Sequence, residues 1–371
     1  MKLKKIIIFY PSFERGGVEI VLVNLINFFL KKNIKIILIS SNFFNVKLFN
    51  NPLFEYRKFN HVKNLFPDRI SKAFQASNLL IEELKKTHPN QTIVFSLQSS
   101  SISILLSKIL GFKIVVRNAE DPIYSTLFAD NKFVASIILI FKFMTYSLSD
   151  GIITNSVGSK KSMNKLVFSK NKIVSIYNPY LKNNLKIKVK KRKNIILTVG
   201  RLTKQKDFGS LIKAFYSINK KIRNYKLVII GDGENRKELQ FLINKLNLKN
   251  KVEIKGWTKN LKRYYSSSKI FVLSSIYEGL GNVLIDATNY QLPIITTNCK
   301  SGPSEIINFG KGGFLVPISN PSQLSKKIIY VLNNYDIAIK KSIYAKKRVN
   351  RFLIENNSNK YLNYIMKVFN E

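Results

Sequence analysis

Cysteine, histidine and acidic residues are scarce in this chain of 371 residues. It contains one cysteine, Cys299, and two histidines, His61 and His88. A single cysteine excludes an internal disulfide and a cysteine-based zinc cluster, and two histidines leave few ligands for another metal. We therefore expect a reducing cytoplasmic environment, no metal site and no cofactor.

Long apolar runs are also missing, because no run approaches the roughly 20 residues that span a bilayer. The apolar residues 6–10 are followed by Pro11, which predicts a first buried strand rather than a signal peptide. Residues 133–148 form the most apolar later segment, interrupted by Lys142. We interpret this segment as a core helix, with an interfacial helix as the alternative.

The shortage of acidic residues leaves a large positive charge. The 62 Lys and Arg residues outnumber the 21 Asp and Glu residues, for a formal net charge of +41. Such a field attracts a polyanion. Nucleic acid, an anionic membrane surface and phosphorylated substrates all qualify, and the codon bias of an AT-rich genome is a further explanation.

The length and the element pattern predict two α/β domains. Short β-rich runs alternate with helical periodicity from residue 5 to residue 155, and the alternation restarts at residue 195. The residues between, 182–193, contain Lys or Arg at 7 of 12 positions and no aromatic residue. We predict a Rossmann-like N-terminal domain at residues 1–182, a basic linker at 183–193, a second Rossmann-like domain at 194–357, and a C-terminal helix at 358–371 that docks on a domain surface.

Three strand-to-helix turns carry candidate site residues, because ligands bind at the carboxyl ends of the strands in such folds. Gly16 and Gly17 open the first helix. Arg201 and Lys206 follow a strand that ends at Val199, where two cations can clamp a diphosphate. The segment SSIYEGLGNVLIDA places a Gly-rich turn before a helix, with Glu278 in the turn and Asp286 in the helix. Backbone amides of Leu280, Gly281 and Asn282 would present the helix N-terminus to a phosphate.

The order and spacing of several segments resemble the family 4 retaining glycosyltransferases of GT-B fold over nearly the whole chain. The segments are ERGGVEIVLVNLINFF (14–29), DGIITNSVGSKKSM (150–163), IYNP (176–179), VGRLTKQKD (199–207), LVIIGDGENRKEL (227–239), VEIKGW (252–257), YEGLGNVLIDA (277–287) and CKSGPSEII (299–307). The resemblance implies two Rossmann-like domains that face each other across a cleft, and a nucleotide-sugar donor.

The resemblance also implies roles for individual residues. Arg201 and Lys206, after Gly200, would bind the donor diphosphate, and Glu278 would contact the transferred sugar. Asp286 would contact the ribose and is one methylene shorter than the usual Glu. Gly256 would lie near the base pocket. Asn118 stands where many members carry a histidine, and Glu305 follows the CKSGPS segment; both are possible substrate contacts.

These residues predict a metal-independent hexosyltransferase, because the chain contains no Asp-x-Asp triplet to chelate a metal. The predicted donor is a UDP-hexose or a UDP-N-acetylhexosamine, and the predicted acceptor is a saccharide or a lipid-linked saccharide in cell-surface polysaccharide or glycan synthesis. The charge predicts peripheral binding to the anionic inner face of the plasma membrane.

Two alternatives remain open. A sugar-nucleotide epimerase of the same fold would consume donor without an acceptor. A basic nucleic-acid-binding protein would suit the charge, but the densest basic run lacks the interleaved aromatic residues of such proteins, so we expect no nucleic acid partner.

Overall fold

A computed structural model describes residues 2–13, 16–43, 45–59, 68–129, 131–187, 192–258 and 260–371. His61 and the middle of the basic linker, residues 188–191, lie outside the described residues. The described chain forms two α/β units. The first comprises Met1–Lys182 and Phe352–Glu371, and the second comprises Asn183–Arg351.

The first unit contains a sheet of seven parallel strands. In chain order these are β1 (Lys5–Phe9), β2 (Lys35–Ser40), β3 (Phe54–Lys58), β4 (Thr92–Ser96), β5 (Ile114–Asn118), β6 (Gly151–Thr154) and β7 (Ile173–Ser175). Their order across the sheet is β3-β2-β1-β4-β5-β6-β7. The direction of strand order reverses between β1 and β4, which is the switch point of a doubly wound sheet.

Helices cover both faces of this sheet. They are α1 (Gly17–Lys31), α2 (Asp68–Lys85), α3 (Ser100–Ile109), α4 (Pro122–Leu127), α5 (Lys132–Tyr146) and α6 (Val157–Met163). Single 3-10 turns lie at Val46–Asn50, Pro89–Gln91 and Lys170–Lys172. Successive side chains of a strand point to opposite faces, so Ile6 and Ile8 pack in one hydrophobic cluster and Ile7 and Phe9 in the other. The continuous apolar run of β1 follows from this double burial.

The second unit repeats the design with six parallel strands. These are β8 (Ile195–Val199), β9 (Lys226–Ile230), β10 (Val252–Ile254), β11 (Ile270–Leu273), β12 (Ile294–Thr297) and β13 (Phe314–Val316), ordered β10-β9-β8-β11-β12-β13. Its helices are α7 (Phe208–Ile218), α8 (Arg236–Lys245), α9 (Leu261–Ser267), α10 (Asn282–Asn289), α11 (Pro303–Ile306), α12 (Pro321–Asn333) and α13 (Tyr335–Lys346), with 3-10 turns at Lys204–Lys206 and Val349–Phe352. The switch point lies between β8 and β11. The expected α/β class with two Rossmann-like units is confirmed.

The chain ends in α14 (Ile354–Asn370), which belongs to the first unit. Its apolar face, with Tyr361 and Ile365 fully buried, joins the cluster formed by α1 and one face of the first sheet. The chain returns to the first unit at Phe352, whereas the sequence placed the end of the second domain at residue 357. Backbone hydrogen bonds from Tyr180 and Leu181 to the Phe352 carbonyl fix this return.

The basic linker predicted at residues 183–193 is attached to the second unit at both of its described ends. Leu185 N–H donates to the Asn289 side chain over 3.1 Å. Arg192 donates through Nη2 to the carbonyls of Tyr290 and Gln291 at 2.9 and 3.1 Å. Its Nη1 contacts the carbonyls of Tyr265, Ser266 and Ser268. One guanidinium therefore joins the end of α9 to the end of α10. The basic composition of the linker did not predict this role.

Helix α5 contradicts the interpretation of residues 133–148 as a core helix. Only Thr145 and Tyr146 of this helix are buried, whereas Phe133 is 76% and Ile140 61% exposed. The apolar composition was therefore a misleading guide to burial. No helix in the described part of the chain has the length and the apolar character needed to cross a membrane.

Candidate active site

The candidate site of the second unit lies at its switch point. Strand β8 pairs with β11 in parallel, so their carboxyl ends meet at one edge of the sheet. Arg201 and the 3-10 turn Lys204–Lys206 follow β8, and Glu278 lies in the loop between β11 and α10. Residues that are more than 70 positions apart in sequence are thereby brought to neighbouring loops.

Lys206 and Glu278 form an ion pair between Lys206 Nζ and Glu278 Oε1. Their side chains are only 12% and 8% exposed, so water screens this pair weakly. Ser275 Oγ donates to the same carboxylate oxygen over 2.7 Å. Lys206 of the predicted diphosphate clamp and Glu278, the predicted sugar contact, are thus in one hydrogen-bonded cluster. Ser275 also belongs to it and was not predicted from the sequence.

Three further hydrogen bonds hold the β8 and β11 loops together. Ser274 Oγ donates to the Lys206 carbonyl over 2.7 Å. Ile276 N–H donates to the Gln205 carbonyl over 2.9 Å, and Gln205 Nε2 donates to the Tyr277 carbonyl over 2.9 Å. The backbone that carries Lys206 and Glu278 is therefore fixed from both sides. Serine and glutamine in a loop give no sequence signal for such a role.

Arg201 is exposed and its position is set by the turn that carries it. Leu202 N–H donates to the Asp232 carbonyl over 2.9 Å. The turn after β9 approaches so closely that a Cβ on Gly231 would lie 1.8 Å from the Gly200 carbonyl oxygen. Gly231 therefore permits the close contact that fixes the residues on either side of Gly200.

The predicted phosphate-binding turn forms the N-terminus of α10. Gly281 is the N-cap with φ of 90°, a left-handed conformation that favours glycine. Leu280 is 1% exposed, so its side chain anchors the turn while its backbone belongs to the helix entrance. A Cβ on Gly302 would lie 2.4 Å from Leu280 Cα. The Gly302 backbone thus supports this turn from behind.

Asp286 lies on α10, in the turn of helix that follows Asn282. Its charge contributes to raising the pKa of Tyr290, for which burial is the larger cause. Tyr290 in turn stacks on Tyr265, with ring centroids 5.5 Å apart. This aromatic stack packs beside the helix that carries the predicted ribose contact.

Gly256 lies just beyond β10, at the same carboxyl edge of the sheet. It has φ of 63°, and its carbonyl accepts a hydrogen bond from Gly231 N–H over 3.1 Å. A Cβ at this position would have space, because its nearest neighbour is Arg236 Nη1 at 3.6 Å. The backbone conformation, rather than crowding, accounts for glycine here.

Glu305 and Cys299 lie in the segment that follows β12. Glu305 is 4% exposed, and its Oε1 accepts from Gly302 N–H over 3.5 Å, so it caps α11. Burial raises the pKa of the Cys299 thiol to about 12, to which the Glu278 charge adds. The thiol donates to the Ser275 carbonyl over 3.1 Å. Cys299 is therefore a protonated packing residue behind Glu278 and not a nucleophile.

The remaining predicted residues lie in the first unit. Gly16 caps α1, and a Cβ there would lie 2.9 Å from Glu19 Oε2. Glu19 is 8% exposed and accepts from Tyr10 Oη over 2.7 Å; the sequence analysis overlooked this buried carboxylate. Gly17 is exposed in the first turn of the same helix. Asn118 ends β5, is 7% exposed, and donates to the Glu120 carbonyl.

Comparison with known proteins places this geometry in context. Residues 182–361 match the family described as glycosyl transferases group 1. The chain is 31% identical over 64% of its length to the amylovoran biosynthesis glycosyltransferase AmsD of Erwinia amylovora, covering 66% of that protein. It is 28% identical over 67% of its length to a Campylobacter jejuni enzyme, covering 68% of it. That enzyme is the N-acetylgalactosamine-N,N'-diacetylbacillosaminyl-diphospho-undecaprenol 4-alpha-N-acetylgalactosaminyltransferase.

The chain spans about half the length (53%) of another relative, a glycosyltransferase of Methanocaldococcus jannaschii that is 37% identical. Relatives thus include glycosyltransferases of polysaccharide and lipid-linked glycan synthesis.

A solved structure, Anabaena HepE in complex with UDP and glucose, matches 98% of the chain and 99% of its own length with a TM-score of 0.79 at 16% identity. At this identity the likeness bears on the fold alone, and that fold is GT-B.

Proposed function

Because this chain belongs to the group 1 glycosyl transferases, we propose that it transfers a hexose or N-acetylhexosamine from a UDP-sugar to a saccharide, free or lipid-linked, with retention at the anomeric carbon. The observation that carries the proposal is the Lys206–Glu278 pair at the switch point of the second sheet. A cation and a carboxylate held together at the place where such folds bind nucleotides suit a charged diphosphate beside a polyhydroxyl sugar.

The donor diphosphate would bind Arg201 and Lys206 together with the N-terminus of α10. Arginine and lysine donate charge-assisted hydrogen bonds to phosphate oxygens, and the backbone N–H groups of Leu280, Gly281 and Asn282 add the positive end of the helix dipole. In the free protein Lys206 already has an anionic partner, Glu278. The diphosphate therefore takes a share of Lys206 from Glu278, which leaves that carboxylate available to a sugar hydroxyl.

Transfer would proceed with the cations stabilising the leaving group. The bond between the anomeric carbon and the phosphate oxygen breaks, its electron pair goes to UDP, and positive charge develops on the sugar ring. The acceptor oxygen bonds to the anomeric carbon from the face that UDP leaves, and its proton passes to a donor phosphate oxygen. Arg201 and Lys206 take the place that a metal holds in enzymes with an Asp-x-Asp triplet, which this chain lacks.

Secondary donor contacts follow from the same placement. We assign the ribose to Asp286 and the base to the backbone near Gly256. The capping role of Glu305 supports the α10 entrance through Gly302. In the first unit Asn118 remains a proposed substrate contact, and the amides of Gly16 and Gly17 remain proposed donor contacts at the N-terminus of α1.

Binding to the inner face of the plasma membrane is part of the proposal. The net charge of +41 and the exposed apolar side chains of α5 support it, because basic residues attract anionic lipid and apolar side chains enter the interface. Cosedimentation with vesicles of phosphatidylglycerol at low salt is the test. Failure of these vesicles to retain the protein would refute membrane binding without bearing on transfer.

Substrate identity and the two cations can be tested together. The rise in melting temperature with each of a panel of UDP-sugars identifies the donor, and kcat/KM is then measured for Arg201→Ala and Lys206→Ala. Loss of a charge-stabilising donor costs on the order of 10²-fold. Lys213→Ala, an exposed lysine on α7, is the matched control and should leave kcat/KM unchanged. Wild-type kcat/KM in both site variants would defeat the proposal.

A further inference from the structure

The first unit contains a large cavity of its own, outside the donor site. It has a volume of about 750 Å³ and opens at the carboxyl ends of β4 and β5. Residues Leu97–Ser101 line it after β4 and Arg117–Glu120 line it at the end of β5, while α2, α3 and α5 supply walls. The cavity thus lies beside the switch point of the first sheet, where ligands of such folds bind.

A buried arginine lines this cavity. Arg117 is 1% exposed; its Nε donates to Tyr361 Oη over 3.0 Å and its Nη2 donates to Asn178 Oδ1 over 2.7 Å. Both partners are neutral, and Nη1 is buried with no hydrogen-bond partner among the described residues. No salt bridge of Arg117 occurs within the described residues. A buried guanidinium without a counter-charge is costly, and an anionic ligand group would supply that charge.

The walls of the cavity are mainly apolar, although Lys142 of α5 and several serines also line it. Phe74 of α2 is 56% exposed, Ile109 at the end of α3 is 77% exposed, and Ile137, Ile138 and Phe141 of α5 are 44–51% exposed, and all five line the cavity. The apolar surface continues beyond the cavity along α5, whose only charged residues are Lys132 and Lys142. Contiguous exposed apolar surface of this kind marks a binding site.

Resting on the proposed function, we propose that this cavity binds an amphiphilic acceptor, a saccharide linked through a phosphate or diphosphate to a long hydrocarbon chain. The phosphate binds Arg117 at the floor, and the hydrocarbon chain lies along α5. A soluble sugar phosphate would use the cation and leave the apolar wall bare, and a purely apolar ligand would leave Nη1 unpaired. Only a ligand with both parts satisfies both features. Glu120, an exposed carboxylate at the mouth, is placed to accept a hydroxyl of the attached sugar.

The experiment uses farnesyl diphosphate as a soluble probe, with UDP saturating the donor site, and compares its Kd by calorimetry with those of inorganic pyrophosphate and farnesol. We expect farnesyl diphosphate to bind at least tenfold more tightly than either pyrophosphate or farnesol. Ile137→Asn should weaken it about tenfold and leave pyrophosphate unchanged, whereas Arg117→Lys should weaken both anions and spare farnesol. Phe241→Asn, at a 68% exposed position of the second unit, is the control and should change nothing.

Equal binding of pyrophosphate and farnesyl diphosphate would overturn the lipid half of the proposal, as would an undiminished affinity of Ile137→Asn. The wild type could instead dimerise and bind no probe. If Ile137→Asn then abolishes the dimer, α5 is covered by a second copy of the chain and the proposal is wrong. Arg117→Lys is checked for folding by its melting temperature, and Ile137→Asn tests the proposal even if Arg117→Lys does not fold. UDP-sugar binding is measured on every variant, so failure of the proposed donor function is seen separately from failure of the lipid site.

Discussion

The ion pair between Lys206 and Glu278 leads to a prediction about the affinity of the proposed donor site for UDP. In the free protein the two side chains neutralise each other with little exposure to water, 12% and 8%. A diphosphate that binds Lys206 therefore comes close to the negative charge of Glu278. Removing that charge while keeping the shape, by Glu278→Gln, should tighten the binding of UDP even though it impairs transfer of the sugar.

The size of the effect follows from Coulomb's law. Two unit charges 4 Å apart interact by about 4 kcal/mol at an effective dielectric constant of 20. A larger separation and the residual access of water reduce this, so we expect a gain of ~1.4 kcal/mol, about tenfold in Kd. The amide oxygen of glutamine can still accept the hydrogen bond from Ser275, which preserves the loop geometry. Lys206→Met removes the cation instead and should weaken UDP by at least tenfold, because truncating one partner of a buried charge pair costs ~2 kcal/mol or more.

Isothermal calorimetry with UDP on the wild type, Glu278→Gln, Lys206→Met and the double variant measures these effects. The double variant should bind UDP more tightly than Lys206→Met, because in Lys206→Met the Glu278 carboxylate has lost its neutralising partner and repels the diphosphate. Transfer activity with the best UDP-sugar should fall in all three variants. If Glu278→Gln weakens UDP as much as Lys206→Met does, then Glu278 holds the nucleotide itself and the division of roles between the two residues is wrong.

Three other predictions concern the framework around this site. Gly302→Ala should lower the free energy of unfolding by at least ~2 kcal/mol in urea denaturation, since its Cβ would lie 2.4 Å from the backbone behind α10 at a φ of 81°; Gly209→Ala, with nothing within 4 Å of the added Cβ, should be neutral or stabilising. The buried thiol of Cys299, whose pKa is raised to about 12, should resist iodoacetamide at pH 8 and react only in denaturant; rapid labelling of the native protein would show that the thiol is accessible. Arg192→Ala should lower the melting temperature clearly, because several loop carbonyls lose their donor, while Lys186→Ala at an exposed linker position should not; equal effects would exclude the anchoring role.

Much of the fold followed from sequence periodicity because buried parallel strands and amphipathic helices leave strong patterns. The strand predicted to begin at residue 195 and to end at Val199 coincides with β8, and the first buried strand predicted at residues 6–10 overlaps β1. Strands β3, β7 and β13 were not predicted. β3 is an edge strand with the polar sequence FEYRK, of which only Phe54 is buried, and β7 and β13 have only three residues each. Edge position and short length remove the apolar run on which such prediction depends.

The candidate site was predictable to a different degree in each loop. Arg201, Lys206 and Glu278 could be proposed as site residues because they follow strands in a recognisable order. The contacts that hold them were not predicted, since Ser275, Gln205 and the Tyr277 carbonyl are ordinary loop groups until the fold brings β8 and β11 side by side. Pairing of these distant segments depends on the order of strands in the sheet and cannot be deduced from either segment alone.

Helix α5 shows why composition alone misassigned one element of the first unit. An apolar segment of this length is buried if another element covers it, and the sequence does not state whether one does. Here α3 and α4 contact α5, yet most of its large side chains remain exposed.

The same unit places a buried, incompletely paired Arg117 beside that apolar surface. Each feature alone would be a cost to the folded state, and together they are complementary to one kind of molecule, an anionic group on a hydrocarbon chain. The proposed donor site of the second unit, by contrast, is internally neutralised by its own Lys206–Glu278 pair. Under the two proposals the units therefore bind their ligands differently: in the second unit the ligand replaces an internal partner of Lys206, and in the first unit it supplies the missing partner of Arg117.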